Sequence, residues 1–132
     1  MNGQKDSAAL VGRVALALIF VMSGVEKLTD FGGTVSMIAD KNVPLPAVAA
    51  AIAAVIELGG GLAIVAGWRT RWAALALAVF LIVISPIFHN FWAMQGEEQM
   101  MNQAMFMKNV SMLGGFLLLY AFGPGKYSVD KR

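Results

Sequence analysis

The chain has 132 residues, of which 58% are hydrophobic and only 14% are charged, and its mean hydropathy is +0.69. Soluble domains carry nearer a quarter charged residues, so the composition excludes an ordinary soluble protein and indicates one small membrane domain over residues 1–132. A net charge of +2 gives no sign of nucleic-acid binding, and the lack of cysteine excludes thiol exchange and iron–sulfur ligation.

Four apolar segments follow one another along the chain. They predict helices over residues 8–27, 46–66, 72–89 and 105–122. At 1.5 Å per residue, each is about long enough to cross roughly 30 Å of hydrocarbon. The predicted fold is therefore all-α: a polytopic membrane protein built as a four-transmembrane-helix bundle.

The first segment resembles a signal peptide in one respect, since Lys5 precedes an apolar run. Arg13 interrupts that run, however, and no small-x-small cleavage site follows before Glu26. These features favour a membrane span over a cleaved peptide. Asp6 or Ser7 is expected to cap this helix, and "TDFGG" to end it.

Breaks and caps set the expected bounds of the next elements. Residues 34–41 are predicted to form a short interfacial helix before "NVPLP", and Pro46 to open the second span. Gly67 is expected to close that span, and Pro86 to kink the third just before His89. "AMQGEEQMMNQ" is predicted to be a polar loop, and the closing "GPGKYSVDKR" an exposed tail.

The basic residues are distributed unequally between the two sides of this bundle. Both termini and the turn between the second and third spans share one side, which carries Lys5, Arg69, Arg71, Lys126, Lys131 and Arg132. The loops opposite carry Lys27 and Lys41, with Lys108 at a helix end. By the positive-inside rule, both termini are expected to be cytoplasmic.

Glu57 lies near the middle of the second predicted span. A central charge costs about 2.5–3.5 kcal/mol on insertion scales, which cancels most of the gain from the apolar residues around it. Protonation or a cation from another helix would lower this cost. Arg13 is the expected partner, because helix geometry puts the two Cα atoms within roughly 6 Å in depth. The pair is interpreted either as part of a functional pocket or as a device that fixes helix register.

A second group of polar side chains is expected nearer the outer side. It comprises Lys27, Ser85, His89, Asn90, Lys108 and Asn109. Lys27 and Lys108 could equally extend to the interface as ordinary helix-end lysines. One histidine supplies too few nitrogen or sulfur ligands for structural zinc or for bis-His haem, so no metal site is expected.

Several stretches of this sequence resemble the DoxX family of small bacterial membrane proteins. They are "GRVALALIFVMSGVEKL", "VIELGGGLAIVAGWRTR", "FMKNVSMLGGFLLL" and "GPGKYSVDKR". The resemblance implies a four-helix bundle in the bacterial inner membrane, with Arg13, Lys27, Glu57, Lys108 and Asn109 as the family's polar positions. It also implies an oxidoreductase-type role, since relatives resemble subunits of quinone-reducing systems or partners in thiol-oxidant defence.

Three functions stay open at this point. The first is a redox-linked component that binds quinone, with Arg13 and Glu57 at the quinone oxygen and Lys108 and Asn109 assisting. The second is a non-catalytic scaffold for a redox partner protein, and the third is a small-solute or proton-coupled transporter, for which a homo-oligomer would widen the pathway. The lipid bilayer is the expected surrounding in each case.

Overall fold

The computed structural model describes residues 3–131, so Arg132, counted above among the basic residues, lies outside the described part. These residues form five α-helices and one short 3₁₀ turn at Phe91–Ala93. The helices are α1 (Gly3–Thr29), α2 (Phe31–Asp40), α3 (Pro46–Ala66), α4 (Thr70–Phe88) and α5 (Gly96–Phe122). α1, α3, α4 (together with the 3₁₀ turn) and α5 are long and apolar enough to span a membrane, which confirms the predicted all-α fold with four spans.

The two ends of the bundle differ in what they carry. At one end, called here the terminal end, the start of α1 and the C-terminal segment meet the α3–α4 turn. The Lys126 N–H donates to the Asp6 carboxylate, and the Asp130 N–H donates to the Gly67 carbonyl. The opposite end, called here the α2 end, carries α2 and the 3₁₀ turn. α2 confirms the short helix predicted between the first two spans, and the Asp30 side chain caps it by accepting from the Gly33 N–H.

Close approach of α1 and α3 fixes the register of the bundle. A Cβ built on Gly24 would lie 2.7 Å from the Leu58 backbone N, and one on Gly61 would lie 3.1 Å from the Val21 N. Small residues allow such backbone contact between membrane helices. Beside this seam, Phe20 and Phe116 pack edge to face at 5.3 Å in the buried core, linking α1 to α5.

Four of the five helices begin earlier than the sequence predicts, and the difference is largest for α1 and α5. α1 starts at Gly3, so the expected cap by Asp6 or Ser7 is wrong, and the Asp6 carboxylate instead accepts from the Lys126 N–H at 3.0 Å. α5 starts at Gly96, so most of the predicted polar loop is helical. Glu97 and Glu98 in its first turn suit the positive end of the helix dipole, which explains why a polar stretch forms helix here.

The C-terminal segment is docked on the bundle, so the predicted tail is exposed only in part, at Lys126, Tyr127, Val129 and Lys131. Gly123, Pro124 and Gly125 are buried. Asp130 accepts from the backbone N–H groups of Arg69 and Thr70 at 2.9 and 2.8 Å, and so supplies the N-terminal cap that α4 lacks locally. The segment therefore closes the terminal end over the α3–α4 turn.

Candidate functional site

A cavity of about 290 Å³ lies at the α2 end among all five helices. Its wall is mostly apolar, with α4 and α5 contributing side chains such as Phe80, Ile84 and Met112. The polar groups in the wall are Ser23, Lys27, Thr34, Glu57, His89 and Asn109. A mainly apolar pocket with a few convergent polar groups is the usual form of a small-molecule site.

The charge pair in this wall is Glu57 with Lys27. Lys27 Nζ lies 2.8 Å from Glu57 Oε1 and also donates to Ser23 Oγ at 2.9 Å. The Glu57 side chain is 4% exposed and that of Lys27 is 19% exposed. The expectation that Arg13 neutralises Glu57 is therefore wrong: the countercharge comes from the other basic residue on the same face of α1.

Arg13 is buried at the terminal end. Within the described residues, its guanidinium donates hydrogen bonds to backbone carbonyl oxygens. Nε donates to Ile64 O at 2.9 Å, Nη1 to Pro124 O at 2.9 Å, and Nη2 to Val65 O at 3.3 Å and Tyr127 O at 2.5 Å. The Ile64 and Val65 carbonyls belong to the last turn of α3, where a cation complements the helix dipole. Arg13 thus joins α1, α3 and the C-terminal segment, and it does not line the cavity.

Half of the Glu57 carboxylate has no partner within residues 3–131. Oε1 is held by Lys27, whereas Oε2 is buried and accepts no hydrogen bond. An unsatisfied buried carboxylate oxygen costs free energy comparable to a lost hydrogen bond, and more for a charged group. Because Glu57 lines the cavity, this oxygen is a ready acceptor for a ligand hydroxyl there.

His89 offers a second hydrogen-bond acceptor, its Nε2, when the ring carries its proton on Nδ1. Its Nδ1 lies 2.9 Å from Asn102 Oδ1, and Asn102 Nδ2 donates to the Glu98 carbonyl, which fixes the orientation of the amide. Nδ1 must therefore carry the proton, and in the neutral ring Nε2 is an acceptor. Sequence reasoning missed Asn102, which lies in the stretch that was predicted to be a loop.

Asn109 lies across the cavity from α1 and is held by α4. It is buried, and its Nδ2 donates to Ser85 Oγ at 3.0 Å, while the Ser85 hydroxyl donates to the Leu81 carbonyl at 2.6 Å. These two hydrogen bonds hold the Asn109 amide against the turn of α4 just before Pro86. Lys108 is exposed and does not line the cavity, so of the predicted site residues the structure brings Lys27, Glu57, His89 and Asn109 together.

Ser23 and Thr34 also line the cavity and were missed as site residues. Ser23 lies one helical turn before Lys27, and that i, i+4 spacing was the available signal. Thr34 faces the cavity only because α2 folds back over the α1–α3 pair, and no spacing in the sequence indicates that.

A protein-family model for DoxX matches residues 8–90. The inner membrane protein YphA of Escherichia coli is 40% identical over 93% of this chain and 88% of its own length. The inner membrane protein YqjF of the same organism is 38% identical over 99% of this chain and 95% of its own length. A Surfeit locus protein 4 homolog of Schizosaccharomyces pombe is 32% identical over 52% of this chain and 24% of its own length. No solved structure matches the chain.

Proposed function

The chain belongs to the DoxX family and is a multi-pass inner-membrane protein, and from that premise we propose that it binds quinone or quinol as a component of a redox-linked membrane system. The observation that carries the proposal is the buried Glu57 Oε2, left without a partner in the wall of an apolar cavity. The names of the relatives give no substrate, so the argument depends on the chemistry of this cavity.

The cavity suits a quinone head group in size and polarity. At about 290 Å³ it is near the small end of ligand pockets, which fits one aromatic ring system with its tail outside in lipid. The lining includes Met37, which is 52% exposed on α2. This side chain marks a route by which an isoprenoid tail leaves toward the bilayer.

The polar groups match the two forms of such a ligand. Quinol has two hydroxyl donors, for which Glu57 Oε2 and neutral His89 Nε2 are acceptors. Quinone has two carbonyl acceptors, for which the Lys27 ammonium and the Asn109 amide are donors. We assign this chain ligand binding and acceptance of the two quinol protons, one at Glu57 Oε2 and one at His89 Nε2, while the two electrons pass to a separate acceptor protein. The chain has no cysteine to carry these electrons, and its described residues include no group of three or more His, Asp or Glu side chains that could hold a metal ion.

The test is ligand binding by the purified protein in mild detergent. Ubiquinone and menaquinone are extracted from the wild type and quantified, and thermal unfolding is followed with added decylubiquinone and with menadione. We expect quinone to copurify with the wild type and the added analogues to raise its Tm. Glu57→Gln should reduce both the amount of copurified quinone and the size of the Tm rise at least tenfold. Glu97→Gln, the same change at an exposed residue in the first turn of α5, is the matched control and should behave as wild type.

If neither quinone copurifies and neither analogue moves the Tm, the proposal is wrong. The two other functions then separate by their own measurements. A transporter gives a solute flux in proteoliposomes that Glu57→Gln abolishes, whereas a scaffold shows lower abundance of its partner protein when Glu57 is replaced.

A further inference from the structure

Two opposite charges lie exposed on neighbouring helices, outside the cavity. Glu26 is on α1 and Lys108 on α5, and neither side chain makes a hydrogen bond or ion pair within the described residues. α1 and α5 meet at few positions, such as Phe20 with Phe116, whereas α1 packs along α3 and α5 packs along α4. Of the four spans, α5 leaves the largest part of its surface outside the bundle.

Glu26 and Lys108 lie at nearly the same depth. A Cβ on Gly115 would lie 3.3 Å from the Leu16 side chain, which sets a common level for α1 and α5. Glu26 is ten residues beyond Leu16, about 15 Å toward the α2 end, and Lys108 is seven residues from Gly115, about 10.5 Å in the same direction. The difference of about 5 Å is within reach of the two side chains.

The rest of this face carries both small and large exposed residues. They are Ala8, Gly12, Ala15, Ile19, Met22 and Glu26 on α1, and Met101, Ala104, Lys108, Ser111 and Leu118 on α5. This set is called the α1/α5 face. The small residues among them allow the close approach of a helix from another molecule. The neighbouring exposed faces carry Val11, Leu18 and Val25 on α1, and Met107, Val110 and Leu117 on α5.

We infer that the α1/α5 face binds a second copy of this chain. A two-fold axis along the membrane normal keeps every residue at its depth, so α1 of one copy lies against α5 of the other. Glu26 then meets Lys108 of the second copy, and Lys108 meets the second Glu26, which is the self-complementary pattern of an isologous dimer. A different partner protein would need its own matching pair of charges, whereas this chain already carries both.

The first arm of the test measures proximity. Because the chain has no cysteine, Glu26→Cys and Lys108→Cys can be placed on two differently tagged copies expressed in one membrane and then oxidised. We expect at least tenfold more mixed-tag disulfide dimer than from Val25→Cys with Val110→Cys. Those control residues are exposed at the same depths but on the neighbouring faces.

The second arm tests whether the two charges stabilise the dimer. The cross-linking arm cannot test this, because a cysteine at either position removes the charge. Glu26→Lys alone and Lys108→Glu alone should each lower the dimer fraction in nanodiscs at least fivefold, as counted by single-molecule photobleaching. Both changes in one chain restore the opposite-charge pairs and should restore the dimer. Equal cross-linking from the control pair, or a wild-type protein that is monomeric, would overturn the inference. The variants at Glu26 and Lys108 leave every side chain of the cavity wall unchanged, so ligand binding is tested separately from this face.

Discussion

At the scale of single residues, Glu57 and Lys27 depend on each other. Removing one member of a buried ion pair leaves an uncompensated charge, which costs about 3–5 kcal/mol, whereas replacing both members by apolar residues is often nearly neutral. Lys27→Met should therefore destabilise the protein by about 3 kcal/mol in thermal or denaturant unfolding. Combining it with Glu57→Leu should recover most of that loss. A single variant as stable as the wild type would show that the pair does not form.

Arg13 has a different task, which is to hold the C-terminal segment. Lysine keeps the charge but cannot bond four carbonyl groups from one planar fork, so Arg13→Lys should loosen that segment. We expect trypsin to cut after Lys126 several-fold faster in this variant than in the wild type. Arg69→Lys, at an exposed arginine stacked on Trp68, is the control and should leave the rate unchanged. Equal rates in all three proteins would contradict the assignment.

At the scale of elements, the α1–α3 contact explains why the sequence predicted the wrong partner for Glu57. Arg13 and Lys27 are fourteen residues apart, nearly four helical turns, so both lie on one face of α1 and helix periodicity cannot choose between them. The choice depends on register, which Gly24 against Leu58 sets in space. The sequence also gave no sign that a docked C-terminal segment would supply carbonyl groups to Arg13.

The same contact yields a prediction with a matched control. Gly24→Ala would place a methyl group against the Leu58 backbone, forcing α1 and α3 apart, so we expect a loss of about 1–3 kcal/mol in unfolding free energy. Gly59→Ala adds a methyl group where nothing lies within 4 Å and should be neutral or slightly stabilising. If the two variants are equally stable, close packing at Gly24 does not fix the register.

At the scale of the whole molecule, the location in a membrane and the four spans follow from hydropathy. In lipid, the backbone N–H and C=O groups of each span must form their hydrogen bonds within that span, which makes it a helix. The site depends on tertiary folding. α2 returns over α1 and α3, and only that return brings Thr34 beside Glu57 and His89. Composition could therefore predict the bundle, whereas the cavity required the register of the helices and the placement of a short helix outside the spans.

The most direct measurement is photolabelling of the wild-type protein in nanodiscs with an azido-quinone, followed by mapping of the labelled peptides. The cavity predicts labels concentrated on its wall, at residues such as Phe88 of α4 and Met112 of α5, displaced by excess decylubiquinone and lost in Glu57→Gln. Labels spread over lipid-facing residues such as Leu18 and Val79, with no displacement and no dependence on Glu57, would contradict a quinone site in this bundle.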